Sequence, residues 1–180
     1  MARITTPREG SRADPWPPPE PIAAPLRPHD TVVAAEWADY NGHMSESAYL
    51  LVCGDSADAF FRYFGVDEDY RACGRSLFTA ETHVRHLGEA RVGDRLLLSL
   101  QVLGVDAKRL HIAHEMRGGR GQLLATAEQL LLHVDTTAGR ETRVTPFPPE
   151  IAGRLAQIRA AHAALPAPGY AGRSIRLVSG

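Results

Sequence analysis

The stretch Trp37-Ala38-Asp39-Tyr40-Asn41-Gly42-His43-Met44-Ser45-Glu46 decides how this chain is read. It follows a short apolar segment, Thr31 to Ala35, and opens a long helical pattern. One carboxylate, Asp39, therefore sits on the loop that delivers the backbone to a helix N-terminus. Such a position suits hydrolysis of an activated acyl group. A carboxylate activates water or attacks directly, and the unpaired N–H groups of a helix start hold a developing oxyanion.

Downstream, the spacing predicts a helix from about Ser45 to Phe64. Ser45 suits the N-cap, Glu46 the positive first turn, and Gly65 the C-terminal cap. Tyr49, Val52, Cys53, Ser56, Ala57, Phe60 and Phe64 fall three or four apart on one face. Leu50, Leu51 and Phe61 widen the apolar surface, so this helix calls for burial on most sides. A first strand is read at 31–37, before the loop. Four more follow at about 77–87, 94–104, 108–117 and 122–134. Alternation is clearest in Leu96, Leu98, Leu100 and Val102. Turns at Arg91-Val-Gly93-Asp94 and Arg117-Gly-Gly-Arg-Gly121 keep the connections short, which implies antiparallel neighbours. A further helix is expected from about Pro149 to Leu165, with Pro149 at its first position.

The chain has 180 residues, 44% of them hydrophobic, which supports one domain with a core. Residues 1–30 read as a proline-rich arm, 31–165 as the domain and 166–180 as an irregular tail. Eight of the thirteen prolines lie in residues 1–28, centred on Pro17-Pro18-Pro19. That arm is expected to be extended, either loose or draped on a partner subunit. A formal net charge of −1 gives no case for nucleic acid or an acidic membrane. No apolar run approaches the roughly 20 residues that span a bilayer, and no apolar signal segment precedes the domain. Cys53 and Cys73 form no metal or disulfide pattern, so a reducing cytoplasm is expected. His83 and His86, like His111 and His114, are three apart on strands and point to opposite faces. No metal site is expected.

Several blocks in order carry a resemblance over roughly residues 31–165. They are Asp39-Tyr-Asn-Gly-His-Met-Ser-Glu46, Tyr49-Leu50, Gly54-Asp55, Glu81-Thr82-His83-Val-Arg-His-Leu87 and Leu132-His133-Val134-Asp135-Thr136. Together they resemble the hotdog-fold acyl-CoA thioesterases of the 4-hydroxybenzoyl-CoA type. The likeness is strongest to the branch of betainyl-CoA thioesterase and of the thioesterase-like domain fused to some carnitine dehydrogenases. That resemblance implies an α+β fold in which an antiparallel sheet wraps a long central helix. It also implies a homodimer or homotetramer with an acyl-CoA substrate and no cofactor, coenzyme A being part of the substrate. Where the wider family often has two asparagines, this chain has Ser45 and Glu46.

Asp39 is the expected base or nucleophile, with His43 and Glu46 as further catalytic candidates. Without its neighbours, Asp39 reads first as a turn residue capping nearby N–H groups, and the surrounding blocks turn the reading to catalysis. Asn41 and Gly42 form a turn that brings backbone close to the thioester. Trp37, Tyr40 and Tyr49 are the nearby aromatics for binding substrate, and a quaternary ammonium group rewards such a cage. Glu81, His83 and Arg85 share one strand face, either lining a site or pairing across an interface. The leading expectation is hydrolysis of betainyl-CoA to betaine and coenzyme A, as in carnitine degradation. The alternatives are a thioesterase for aromatic or medium-chain acyl-CoA, and a non-catalytic acyl-CoA-binding subunit partnering a carnitine-pathway dehydrogenase.

Overall fold

A computed structural model describes residues 5–18, 21–137 and 141–175. Six strands form one antiparallel sheet: β1 (Leu26–Val32), β2 (Arg75–His86), β3 (Arg95–Val105), β4 (Arg109–Gly118), β5 (Leu123–Asp135) and β6 (Arg143–Val144). The order is β1-β3-β4-β5-β2, and the short β6 pairs with the end of β5. Across one face lies α1 (Glu46–Tyr63), with α2 (Glu68–Ala72) after it and α3 (Pro149–Ala161) beside its C-terminal end.

Leu96, Leu98, Leu100 and Val102 are buried under the helix, while Leu97 and Ser99 face away, as alternation requires. The anticipated face of α1 is buried in full, from Tyr49 to Phe64. Burying a side chain such as Phe60 completely contributes about 1.5–3 kcal/mol. The helix closes in a Schellman motif: Val66 N–H bonds Phe61 O at 2.8 Å, Gly65 N–H bonds Arg62 O at 3.1 Å, and Gly65 has φ 103°. The far side of α1 stays open, with Leu50 44% exposed and Ser47 and Gly54 exposed beside it.

Three expectations need correction. The first strand runs from Leu26 to Val32, not 31–37, and residues 35–37 form a single 3-10 turn. β1 is an edge strand pairing only with β3, and a register shift between Leu26 and His29 accommodates Pro28. The described part of the arm is not loose: it packs on its own domain. Trp16 stacks edge-on to Tyr63 at 5.9 Å and lies under the Arg154 guanidinium, while Asp14 N–H bonds Arg62 O at 3.2 Å. Pro19 and residues 1–4 lie outside the described residues. α3 ends at Ala161, before the expected Leu165. There His162 Nδ1 accepts the Val102 N–H at 2.9 Å and Nε2–H donates to Ala23 O at 3.0 Å.

β2 is the other edge strand. It is 12 residues long and carries a bulge at Ala80, where pairing slips from Thr79↔Leu131 to Glu81↔Leu130. Beyond the bulge, Thr82 and Val84 on the α1-facing side of β2 are only half-buried and His86 is exposed, so α1 leaves that side of β2 uncovered and a groove runs between them. Tyr49 and His86, edge-on at 5.1 Å, close that groove at the N-terminal end of the helix.

Candidate active site

Residues 38–44 form a tight loop whose ends pair through the Ala38↔Met44 bridge. Asp39 N–H bonds His43 O at 2.8 Å, and Gly42 N–H bonds Asp39 O at 3.0 Å. Gly42 has φ 76°, while a Cβ there would meet nothing within 4 Å. The turn therefore needs glycine for its backbone angle and not for space. Met44 N–H bonds Ala90 O at 2.8 Å and His43 bridges to Arg91, which fixes the loop on the β2–β3 turn. Ser45 N–H bonds Trp37 O at 2.8 Å, so the start of α1 is held against the same loop.

The Asp39 carboxylate uses one oxygen internally. Oδ1 accepts Asn41 N–H at 2.8 Å and His43 N–H at 3.2 Å. These bonds, led by that from Asn41, hold the carboxyl below its ordinary pKa against partial desolvation, with the His43 charge assisting. Asp39 is therefore ionised throughout the neutral range. Both backbone bonds fall on Oδ1, which leaves Oδ2 outside the turn; the Asn41 side chain adds a hydrogen bond to the carboxylate. Both readings of Asp39 meet here: it caps its own turn and still presents a carboxylate oxygen that the turn does not use.

The helix start has matching vacancies. Ser45 is the N-cap by position, but its side chain caps no backbone group and lies 3.2 Å from Ser47 Oγ. Ala48 N–H is used by Ser45 O at 3.0 Å. The N–H groups of Glu46 and Ser47 find no partner among the described residues, so they remain to polarise a carbonyl. Among the described residues no three His, Cys, Asp or Glu side chains gather to hold a metal ion, and no helix is long and apolar enough to cross a membrane.

A family model for the thioesterase-like superfamily matches residues 33–155. The chain belongs to this superfamily. It is 44% identical over 154 residues to a betainyl-CoA thioesterase of Pseudomonas aeruginosa, covering 84% of this chain and 95% of that one. It is 46% identical over 154 residues to an L-carnitine dehydrogenase/betainyl-CoA thioesterase of Rhizobium meliloti, covering 85% of this chain. The chain spans about 30% of the length of that relative. Among solved structures, a Pseudomonas putida KT2440 protein described as a candidate thioesterase superposes with a TM-score of 0.75 at 34% identity, over 87% of this chain and 99% of that one. A Staphylococcus aureus protein solved in complex with CoA shares the fold at TM-score 0.76 and 23% identity, over 87% and 98% of the two chains. The fold is thus the α+β hotdog.

Within this thioesterase-like domain the candidate residues divide. Asp39, Asn41, Gly42, His43 and Glu46 come together at the loop and helix start. The His43 ring turns toward Glu89, with Nε2 3.3 Å from its carboxylate, and serves Asp39 through its backbone N–H. Tyr49 is buried, and its hydroxyl donates to Gly88 O at 3.0 Å, so it pins the β2–β3 turn rather than facing substrate. Trp37 is half-buried against the core, whereas Tyr40 at the loop tip is 97% exposed. Among the described residues, Trp37, Tyr40 and Tyr49 therefore close no aromatic cage.

Glu81, His83 and Arg85 share a face, but it is the sheet face opposite α1, away from Asp39. Their partners across β5 are Leu130, Glu128 and Thr126. The bulge at Ala80 is the reason. Without it these residues would share the inward face of Leu77; one extra residue inverts the parity. Beyond the bulge, the β2 residues on the side of the helix are Thr82, Val84 and His86. These, together with Glu89, are the site residues that motif reading missed. Only the bulge would have revealed them, and nothing in the local sequence marks it.

Proposed function

We propose that this protein hydrolyses a small cationic acyl-CoA, betainyl-CoA, to betaine and coenzyme A. One observation carries the reading: the backbone turn around Asp39 leaves one carboxylate oxygen unused, beside a helix start whose first N–H groups find no partner among the described residues. The 44% identity to a full-length betainyl-CoA thioesterase supports the acyl group. Asp39 takes the proton of an attacking water, or attacks the carbonyl itself and is released by water. The N–H groups of Glu46 and Ser47 receive the oxyanion. No cofactor enters either route. Three carboxylates, Asp39, Glu46 and Glu89, border the loop and favour a cationic acyl group. The α-ammonium also withdraws electrons from the carbonyl, so less activation is asked of the protein.

Thiol release across a panel of acyl-CoAs tests the assignment. Betainyl-CoA is expected to give the highest kcat/KM. Preference for 4-hydroxybenzoyl-CoA or a medium-chain acyl-CoA would move the protein to the aromatic or aliphatic thioesterases. Binding without thiol release would make it an acyl-CoA-binding module.

The working unit is a homodimer. β2 presents a 12-residue unpaired edge, Phe78 on it is 47% exposed, and the open side of α1 borders the same groove. Leu131 is buried inward, while Leu130 and Leu132 are half-buried on the outer face. Light scattering at micromolar concentration is expected to give about 39 kDa, twice the 19.6 kDa of the chain. A fully active monomer would contradict this assembly.

A further inference from the structure

A chain of hydrogen bonds crosses the buried layer between α1 and β2. Ser56 Oγ lies 3.3 Å from His114 Nδ1, His114 Nε2 lies 3.1 Å from Gln129 Oε1, and Gln129 Nε2 lies 3.5 Å from Thr82 Oγ1. Ser56, His114 and Gln129 are buried; Thr82 alone is half-exposed. The donors and acceptors fix a direction. Gln129 Oε1 only accepts, so His114 carries its proton on Nε2 and accepts from Ser56 on Nδ1. Gln129 Nε2 only donates, so Thr82 Oγ1 accepts and keeps its own proton free. Burial holds His114 down at about 4, consistent with a neutral ring bearing one proton.

Thr82 is half-exposed on the α1-facing side of β2, so that free hydroxyl proton borders the groove between β2 and α1. Glu81 and His83, its neighbours in the Glu-Thr-His block, point to the other face. Resting on the thioesterase reading above, we propose that Thr82 is a substrate-binding residue. Its hydroxyl donates a hydrogen bond to a carbonyl oxygen of the acyl-CoA chain in the groove, with Gln129 and His114 as positioning residues. A polar chain ending in an aimed donor is a preorganised contact, and it costs little to form when substrate arrives.

The test uses the full chain. Thr82→Val keeps the shape and removes the donor, and is expected to raise KM about tenfold while kcat stays within about twofold, the pattern of a contact made equally before and during reaction. Thr82→Ser restores the donor and is expected to stay within about twofold of wild type in both constants. Nitrogen-15 shifts are expected to report His114 protonated on Nε2 alone at neutral pH. Unchanged kinetics in Thr82→Val would overturn the proposal. So would a Thr82→Ser variant as impaired as Thr82→Val, which would assign the effect to the methyl group. A His114 proton on Nδ1 would overturn it as well. If the wild type releases no thiol, the thioesterase reading fails by itself. The same tenfold change is then read in the dissociation constant of betainyl-CoA, and equal binding by wild type and Thr82→Val would overturn the Thr82 assignment.

Discussion

Asp39→Asn lowers kcat by about 10²-fold or more in a protein that folds like wild type. The amide oxygen of asparagine still accepts the Asn41 and His43 N–H groups, so the turn survives. What disappears is the negative charge on the carboxylate, and a neutral amide is a poor base and a poor nucleophile. The pH dependence follows from the same bonds. They favour the ionised carboxylate, so its pKa lies below the ordinary value and the active form is present above it. Wild-type kcat/KM is expected to be flat upward from about pH 5 and to fall only at or below the carboxylate range. An acid limb centred near pH 6.5 would point to a histidine in place of Asp39. Wild-type turnover in folded Asp39→Asn protein would remove Asp39 from the chemistry.

The second large effect concerns charge on the acyl group. The 3,3-dimethylbutanoyl thioester has the shape of betainyl-CoA without its charge. Its kcat/KM is expected to be about 5- to 150-fold lower, after correction for its slower uncatalysed hydrolysis; that range corresponds to roughly 1–3 kcal/mol of lost cation–π and Coulomb attraction. Glu89→Gln and Tyr40→Leu separate the two contributions. The first removes a carboxylate bordering the loop, the second the ring exposed at the loop tip. Either variant narrows the corrected ratio if its group meets the cation. Equal corrected values in the wild type would leave an acyl-CoA thioesterase with no preference for charge.

Most of the architecture was legible from periodicity. The buried face of α1 followed from three-and-four spacing, and β3 from strict alternation at Leu96, Leu98, Leu100 and Val102. The first strand was misplaced because the prolines at 25 and 28 suggested a loop, whereas an edge strand tolerates proline where a central one does not. The docking of the arm on its own domain was not legible, because proline content describes backbone pairing and says nothing of side-chain docking. Trp16 and Ile22 supply that docking on their own. In the site, Asp39, Asn41, Gly42 and His43 are contiguous, so sequence alone placed them together. The β2 contribution depended on the bulge at Ala80. A polar stripe shared one face as expected, but the face was the wrong one, and Thr82 and His86 took its place beside the helix. The roles of Tyr49 and the His43 ring depend on Gly88 and Glu89, about forty residues away, which no local pattern connects to them.

The decisive measurement is product stoichiometry from betainyl-CoA, with wild type and Asp39→Asn side by side. Free thiol is titrated and betaine quantified in the same reaction. The expected result is equal molar amounts of coenzyme A and betaine from the wild type over many turnovers, with the rate falling about 10²-fold or more in Asp39→Asn. Betainyl-CoA bound by the wild type but returned intact, with no thiol above the uncatalysed background, would contradict it.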